Sequence, residues 1–231
     1  MKRKIVITND GSSTIFLPEW NEQYHSMHGA IQEAYHVFIK HGLHYFVEKH
    51  PNFKEPISIL EIGFGTGLNT FISYLEAEKL NLTINYCGVE AFPVSLDEIN
   101  QLNYIEELQA QDKAGLFRCL HDSEWETEQE ISQNFKLTKQ KKFFIDIVET
   151  NKYHLIYFDA FGARVQPELW TEPIFKIMCN ALKTQGVLVT YSAKGSARRA
   201  MQTVGFTVEK LPGPPGKREM LRACKEARNI R

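Results

Sequence analysis

The chain has 231 residues, of which 43% are hydrophobic and 24% are charged, and its formal net charge is −1. This length fits one large α/β domain with a packed core, and the composition excludes a disordered tail. The near-neutral charge excludes a global basic field of the kind that attracts polyanions. No apolar run approaches a membrane span or follows the basic amino terminus as in a signal peptide, so we expect no membrane partner.

The four cysteines are widely spaced and form no Cys-x-x-Cys pair, which favours buried free thiols in the reducing cytoplasm. The eight histidines lack acidic or cysteine partners at ligand spacing, so we expect no metal site.

The first half of the chain predicts short strands within residues 5–17, around the turn Asn9-Asp10-Gly11, and a helix over 29–49. A strand over 57–62, a glycine-rich turn, a helix over 68–80 and a strand over 82–89 then form a β-loop-α-β unit. A helix over 93–108 and a strand over 117–120 follow. Residues 121–142 predict a surface insertion or hairpin, and residues 143–145 a strand that ends at Asp146.

The second half predicts strands over 153–158 and 186–192, helices over 173–181 and 196–204, and two final strands over 207–211 and 219–223 around a Pro-Gly loop. This alternation indicates a Rossmann-like α/β fold, with a mostly parallel sheet, helices on both faces and an antiparallel carboxyl-terminal edge. We divide the chain into an amino-terminal extension, residues 1–50, and a main domain, residues 51–231.

The glycine-rich turn has the sequence Glu61-Ile62-Gly63-Phe64-Gly65-Thr66-Gly67. Its third glycine comes one residue too early for a dinucleotide fingerprint, and no lysine of a phosphate-binding loop follows. Glu61 would repel phosphate but suits a cofactor that carries an amino group and a positive sulfonium. Glu90 lies about twenty residues further on, where a carboxylate can accept from ribose hydroxyls. The pattern resembles the S-adenosylmethionine loop of Rossmann-like methyltransferases; a ligand-free turn is the alternative.

Two further carboxylates follow predicted strands. The resemblance to methyltransferases implies that Asp146 bonds the adenine amino group, whereas on its own it equally suits a helix N-cap. Asp159 lies nearest the transferable methyl group, where a carboxylate can act as general base for an amine nucleophile. The alternative for Asp159 is a cap of the following turn. Phe161, close to Asp159, is the aromatic residue that we expect to stack on a substrate base.

The carboxyl-terminal end is basic, with only three glutamates among its charges. This asymmetry fits an anionic substrate on one face or, equally, a solvated end without a partner. The basic residues are Lys194, Arg198, Arg199, Lys210, Lys217, Arg218, Arg222, Lys225, Arg228 and Arg231.

Four segments together resemble the methyltransferase domain of the MnmC family of tRNA wobble-uridine modification enzymes, and the similarity covers nearly the whole chain. These are residues 60–69, 159–161, 166–171 and 211–221, together with Tyr24-His25-Ser26, Gly29, Ala30 and Glu33 near the entry helix. The run Gly-Lys-Arg-Glu-Met-Leu, 216–221, is more specific than the glycine loop. The resemblance implies methylation of the amine of 5-aminomethyl-(2-thio)uridine in tRNA.

The resemblance also implies a set of site residues. Asp159 would meet the amine. S-adenosylmethionine would lie on Gly63, Gly65, Gly67, Glu90 and Asp146. Tyr24, Ser26 and Asn69 would shape the methionine end of the pocket. The anticodon-arm phosphates would meet Lys194, Arg198, Arg199, Lys217 and Arg218. Alternatively, Lys217 and Arg218 only pin the Pro-Gly loop to an acidic neighbour such as Glu168.

Two features depart from the family. Its two-function members continue into an FAD-dependent oxidase domain, whereas this sequence ends at Arg231, so we expect the methyltransferase half alone and no flavin. The family commonly reads Asp-Ala-Phe-Ala-Pro, whereas here Gly162-Ala163-Arg164 follows Phe161. The competing hypotheses are a small-molecule methyl- or aminopropyltransferase of the same fold and a non-catalytic S-adenosylmethionine-binding domain.

Overall fold

Residues 2–227 are described by a computed structural model, so Arg228 and Arg231 of the basic end lie outside the described residues. The described strands form a small sheet of three and a main sheet of eight. The strands are β1 (Lys4–Ile7), β2 (Ser13–Leu17), β3 (Glu22–Gln23), β4 (Ile57–Ile62), β5 (Ile84–Val89), β6 (Glu128–Ser132), β7 (Phe135–Gln140), β8 (Tyr153–Phe158), β9 (Leu182–Thr190), β10 (Phe206–Pro212) and β11 (Glu219–Lys225).

Helices connect these strands and cover the main sheet. They are α1 (Ala30–Ala34), a π-helical segment (Tyr35–His44), α2 (Tyr45–Lys49), α3 (Leu68–Leu80), α4 (Leu96–Ile99), α5 (Tyr104–Glu107), α6 (Ala114–Asp122), α7 (Glu172–Ala181) and α8 (Gly195–Thr203). Short 3-10 turns span Gln111–Lys113, Phe144–Asp146 and Pro167–Trp170. Among the described helices, none has the length and apolarity that crossing a bilayer requires.

The main sheet has the strand order β10-β11-β9-β8-β4-β5-β7-β6. Its five central strands, from β9 to β7, run parallel, whereas β11, β10 and β6 join antiparallel. All six residues of β8 are buried, as expected for an apolar strand covered by helices on both faces. The predicted fold class, with its antiparallel carboxyl-terminal edge, is confirmed.

The predicted helix over 29–49 is confirmed, but its middle is π-helical, which the sequence pattern did not predict. Gly42 lies in this segment against the main sheet. A Cβ on Gly42 would lie 3.1 Å from a methyl of Val189 and 3.2 Å from the ring of Tyr157. The helix therefore approaches the sheet closely at this point.

The division of the chain into two parts at residue 50 stays a prediction.

Three predicted elements between residues 93 and 146 are wrong. The single helix over 93–108 is two short helices, α4 and α5. Residues 117–120 are not a strand but part of α6, because Phe117 and Leu120 lie three residues apart on one buried helical face. Residues 143–145 belong to no strand, and Cys119 is exposed rather than buried. The hairpin prediction for 121–142 is confirmed by β6 and β7, which extend the main sheet.

Candidate active site

The carboxyl ends of the central strands open onto a cavity of about 1370 Å³. Pockets for single small molecules typically measure about 300–1,000 Å³, so this cavity has room for a cofactor and part of a second molecule. Its charged lining contains more carboxylates than cations, which makes the site acidic. These side chains are Arg3, Glu22, Glu33, Glu90, Asp159, Glu168 and Lys217.

The glycine loop forms one wall of the cavity through its backbone. Gly63, Gly65 and Gly67 have positive φ angles of 91°, 50° and 72°, which side chains rarely tolerate. A Cβ on Gly63 would lie 2.8 Å from the carbonyl oxygen of Asp159, so the loop passes directly beside the end of β8. Gly67 is the N-cap residue of α3. The predicted position of the loop between β4 and α3 is confirmed.

Glu90 follows β5 and faces the cavity beside the glycine loop. Its Oε2 accepts a hydrogen bond from the backbone N–H of Gly65 at 3.1 Å, and its Oε1 accepts one from that of Phe92 at 2.9 Å. The carboxylate is thus held in register with the loop, at the position that the sequence predicts.

Glu61 does not lie on the cavity surface. It is fully buried, and its two carboxyl oxygens accept hydrogen bonds from Asn69 Nδ2 at 2.9 Å and Thr70 Oγ1 at 3.0 Å. Burial raises the pKa of Glu61 to about 8. The prediction that Glu61 meets the ligand is therefore corrected: the side chain points behind the loop, where it holds the start of α3.

Asp159 lies at the end of β8 and lines the cavity, as predicted. Asn69 Nδ2 donates to its Oδ2 at 2.8 Å, so one amide group bridges Asp159 and Glu61. Burial and the Glu33 carboxylate raise the pKa of Asp159 to about 7, against the opposing effects of Asn69 and Lys217. Among the described residues, the buried Oδ1 of Asn69 has no hydrogen-bond partner.

Tyr24 and Ser26 line the cavity next to the glycine loop. The Tyr24 ring lies 3.2 Å from where a Cβ of Gly65 would be, and burial raises the pKa of Tyr24 to about 12. The backbone N–H of Ser26 donates to Glu33 Oε2 at 2.8 Å. The structure thus brings these two predicted residues to the site and adds Glu33, to which the sequence reasoning gave no role.

Phe161 lines the same cavity within a cluster of aromatic rings. Its ring meets Tyr24 edge-on at 5.0 Å and Trp20 edge-on at 5.6 Å between centroids. The Trp170 indole N–H donates to the Phe161 carbonyl oxygen at 2.8 Å. The loop after Asp159 is therefore held both by the ring of Phe161 and by its carbonyl oxygen.

Arg164 belongs to the segment that departs from the family pattern. Its Nη2 donates to the carbonyl oxygens of Trp20 and Asn21 at 3.1 and 2.7 Å and pairs with Glu22 at 2.9 Å. The departure therefore leaves Asp159 in the cavity and ties the following loop to the small sheet.

Two predictions about charged residues are corrected. Asp146 is exposed in a 3-10 turn rather than at a strand end, and the cavity is lined by its neighbours Phe143, Phe144 and Ile145 instead, so its contact with adenine stays a prediction. Lys217 lies inside the cavity and pairs with Glu33 rather than Glu168.

The other predicted basic residues lie outside the cavity. Lys194, Arg199 and Arg218 are exposed and Arg198 is half-buried. The sequence reasoning also missed Arg3, Trp20 and Tyr191 as lining residues. Arg3 and Trp20 could be predicted as lining residues only if it were known that the small sheet covers the strand ends. Within residues 2–227, no three His, Cys, Asp or Glu side chains are placed to hold a metal ion.

Sequence comparison supports this picture. Residues 120–226 match a family described as S-adenosyl-L-methionine-dependent methyltransferase. A tRNA 5-methylaminomethyl-2-thiouridine biosynthesis bifunctional protein MnmC from Leptospira borgpetersenii serovar Hardjo-bovis (strain JB197) is 29% identical over 211 residues, which are 87% of this chain and 32% of that protein. The chain thus spans about a third of the length of the curated relatives that it matches.

Structure comparison agrees on the fold. The crystal structure of MnmC2 from Aquifex aeolicus has a TM-score of 0.76 at 24% identity and covers 98% of this chain and 71% of its own. Spermidine synthase from Thermotoga maritima has a TM-score of 0.54 at 15% identity and covers 97% and 72%. These two likenesses show the fold alone.

Residues 120–226 are therefore similar in sequence to the S-adenosylmethionine-dependent methyltransferases, and the chain shares the fold of the MnmC2 structure. Over most of its length the chain is similar to MnmC proteins.

Proposed function

We propose that the chain methylates the side-chain amine of 5-aminomethyl-(2-thio)uridine at the wobble position of tRNA, giving 5-methylaminomethyl-(2-thio)uridine. The observation that carries this proposal is the acidic cavity, in which Asp159 lies beside the glycine loop. Both the sulfonium of the cofactor and a protonated amine are cations, and carboxylates attract cations strongly in a partly buried site.

The glycine loop and the side chains beside it fit S-adenosylmethionine. Gly63 and Gly65 leave the backbone open where a Cβ would fill the space, and Glu90 faces the cavity with a carboxylate suited to ribose hydroxyls. The unpartnered Oδ1 of Asn69 is an acceptor for the amino group of the methionine end. Tyr24 and Ser26 would flank that end. When bound, the cofactor supplies an electrophilic methyl group on a positively charged sulfur.

Asp159 supplies the proton chemistry. A primary alkylamine has a pKa of about 10 and is protonated near neutral pH, so its nitrogen must lose a proton before the lone pair can attack a methyl group. Asp159, with a pKa raised to about 7, holds the ammonium while ionised and accepts its proton, directly or through water. Phe161 would stack on the uracil ring and hold the amine at Asp159.

Binding of the tRNA would use residues outside the cavity. Lys194, Arg199 and Arg218 are exposed, so their charges are available to phosphates, with the half-buried Arg198 among them. The target uridine lies in a loop, so it can enter the cavity without the unpairing of a helix. The anticodon arm is thus the part of the tRNA that this surface would hold.

A methyl-transfer assay tests this proposal. Wild-type protein should transfer a labelled methyl group to tRNA that carries 5-aminomethyl-2-thiouridine, and higher salt should weaken tRNA binding. Asp159→Asn should lower kcat/KM by at least about 100-fold, since it removes the general base. Asp112→Asn, in an exposed turn far along the chain from the site, is the matched control and should keep wild-type activity. Absence of methyl transfer by the wild type would refute the function, and an active Asp159→Asn variant would refute the role of Asp159.

A second candidate function is aminopropyl transfer to a polyamine. The carboxylates of Glu22, Glu33 and Glu168 in the cavity favour it, because a polyamine carries several positive charges. Incubation with decarboxylated S-adenosylmethionine and putrescine distinguishes the two. Product formation there, without methylation of tRNA, would favour the second candidate.

A further inference from the structure

Lys217 and Glu33 form an ion pair in the cavity that takes no part in the proposed proton transfer. Lys217 extends from the loop between β10 and β11, and its Nζ pairs with Glu33 Oε1 at 2.5 Å. The Glu33 side chain is only 8% exposed and that of Lys217 30%. The same Nζ lies 3.7 Å from the centre of the Tyr191 ring. The Lys217 ammonium therefore contacts a buried carboxylate and the face of an aromatic ring, and its charge is not available to a phosphate.

The loop that carries Lys217 is shaped by glycines. A Cβ on Gly213 would lie 2.4 Å from the Lys217 carbonyl oxygen, and Gly216 has a φ of 81° with its Cβ position 1.9 Å from the imidazole of His28. The backbone N–H of Lys217 donates to the Pro214 carbonyl oxygen at 2.9 Å. This tight turn against the amino-terminal segment directs the lysine inward.

The pair is connected to the residue after Asp159 through Lys217 and Tyr191, while Glu33 is held by the backbone of Ser26. Glu33 also accepts from the backbone of Ser26, and the hydroxyl of Tyr191 donates to the carbonyl oxygen of Ala160, the residue after Asp159, at 2.8 Å. The two charges act on the pKa of Asp159 in opposite directions, since Glu33 raises it and Lys217 lowers it. The other polar groups that face Asp159 are Asn69 and Tyr191, with Glu61 behind Asn69 and Tyr104 further off.

We propose that Glu33 and Lys217 are positioning residues of the amine site: Glu33 holds the ammonium of Lys217 away from Asp159, so that Asp159 stays free to bind the amine of the substrate. This inference rests on the proposed function for the identity of the amine. Its physical basis is competition between two cations for one carboxylate. Lys217 and Asp159 line the same cavity, and Lys217 already lowers the pKa of Asp159. Without Glu33 the two charges would be free to pair, and their pairing would block the substrate.

Removal of either partner should therefore shift the Asp159 titration in opposite directions. Lys217→Met leaves the carboxylates of Glu33 and Asp159 without the compensating cation, which raises the pKa of Asp159. Glu33→Gln releases Lys217 towards Asp159 and lowers it. Each shift should be about 1 pH unit, the lower end of the range for a charged neighbour within a few ångströms. The double variant should titrate between the two single variants.

The experiment is an NMR titration of the Asp159 carboxyl carbon in the free protein, with Asp159→Asn to assign its signal. Lys217→Arg keeps the charge and should titrate like the wild type, and Lys136→Met, at an exposed position of β7, is the matched control for loss of a lysine. Opposite shifts in Lys217→Met and Glu33→Gln support the proposal. Equal midpoints in the wild type and in both variants overturn it.

A second measurement separates this inference from the proposed function. The pH at which kcat/KM reaches half its maximum should move with the NMR midpoint in each variant, and Glu33→Gln should raise KM for the amine substrate about tenfold through competition by Lys217. The NMR titration needs no methyl transfer, so an inactive wild type would refute the function and leave the ion pair testable. If Lys217→Met fails to fold, Glu33→Gln and Lys217→Arg decide the outcome alone.

Discussion

The two walls of the cavity are built in different ways. The first wall is the glycine loop, residues 63–67, where alternate residues have positive φ angles and the backbone passes beside the end of β8. The second wall is made of side chains from distant segments: Glu33 from α1, Tyr191 after β9 and Lys217 from the loop before β11. The first wall depends on local conformation, whereas the second depends on the whole fold bringing its parts together.

This difference implies different kinds of failure. A change in the first wall should displace the backbone and with it Asp159, so stability and activity fall together. A change in the second wall leaves the backbone in place and alters charge, so pH dependence changes before stability does. Variants in each wall, and in the loop between them, can test this distinction.

The largest effect is expected from Gly63→Ala. The φ of 91° and a Cβ only 2.8 Å from the Asp159 carbonyl oxygen mean that the loop or the end of β8 must move. We expect a loss of about 1–3 kcal/mol in the free energy of unfolding from the strained backbone. We expect a loss of at least about 100-fold in kcat/KM from misplacement of Asp159. Urea unfolding and methyl-transfer assays measure the two effects.

Gly115→Ala is the matched control for that variant. Gly115 lies in α6, has no atom within 4 Å of its Cβ position and has no positive φ. Alanine should stabilise this helix by up to about 1 kcal/mol and leave activity unchanged. Wild-type activity in Gly63→Ala would contradict the description of the first wall.

A middle-sized, pH-dependent effect is expected from Glu61→Gln. The pKa of Glu61 is raised from 4.5 to about 8 by burial, so the folded state holds a proton that the unfolded chain releases. The corresponding stability is complete below about pH 4.5 and is lost as the pH rises through 8. The wild type should therefore lose up to about 1.4 kcal/mol of unfolding free energy per pH unit in this window from this group. Glu61→Gln should reduce that slope.

Urea unfolding at pH 5.5 and at pH 8 measures this slope. Asp159, whose pKa is raised to about 7, contributes to the slope with the same sign, so Asp159→Asn should remove a part of it and serves as the comparison. Identical slopes in the wild type and in Glu61→Gln would show that Glu61 is ionised in the folded protein.

The smallest effect is expected from Arg164→Ala, in the loop between the two walls. The Arg164 side chain is 59% exposed, so its ion pair with Glu22 should contribute less than about 1 kcal/mol to stability. Loosening of the loop at Phe161 should still raise KM for tRNA a few-fold. Arg118→Ala, from an exposed ion pair on α6, is the control and should leave KM unchanged. Equal KM values for the two variants would remove the role of Arg164.

The first wall could be predicted from sequence because its information is local. The strand, the glycine loop and α3 are contiguous, and Glu90 follows the next strand, so strand ends and spacing sufficed. Asp159 was found in the same way from the apolar run of β8. Glu61 was misjudged because its charge was weighed without the direction of its side chain, which points into the protein behind the loop.

The second wall could not be predicted, because its contacts join residues far apart in the chain. Lys217 lies in a basic segment, and only the fold pairs it with Glu33, 184 positions away. The errors around residues 117–120 and 143–146 have a different origin. Short apolar runs fit a strand, a helical face or an exposed rim equally well, and periodicity cannot separate them over four residues.

The π-helical segment, residues 35–44, has a mechanical consequence for the second wall. Gly42 seats this helix directly on Tyr157 and Val189, and Glu33 lies nine residues before that contact point. An α-helical residue turns the chain by about 100° around the helix axis, and a π-helical residue turns it by less, because the i→i+5 hydrogen bonds widen each turn. The π-helical turns between Glu33 and Gly42 therefore set the direction in which Glu33 enters the cavity. The number of residues in this segment therefore fixes the direction in which Glu33 points. Removing one residue would turn the Glu33 carboxylate away from Lys217 while the helix stayed on the sheet.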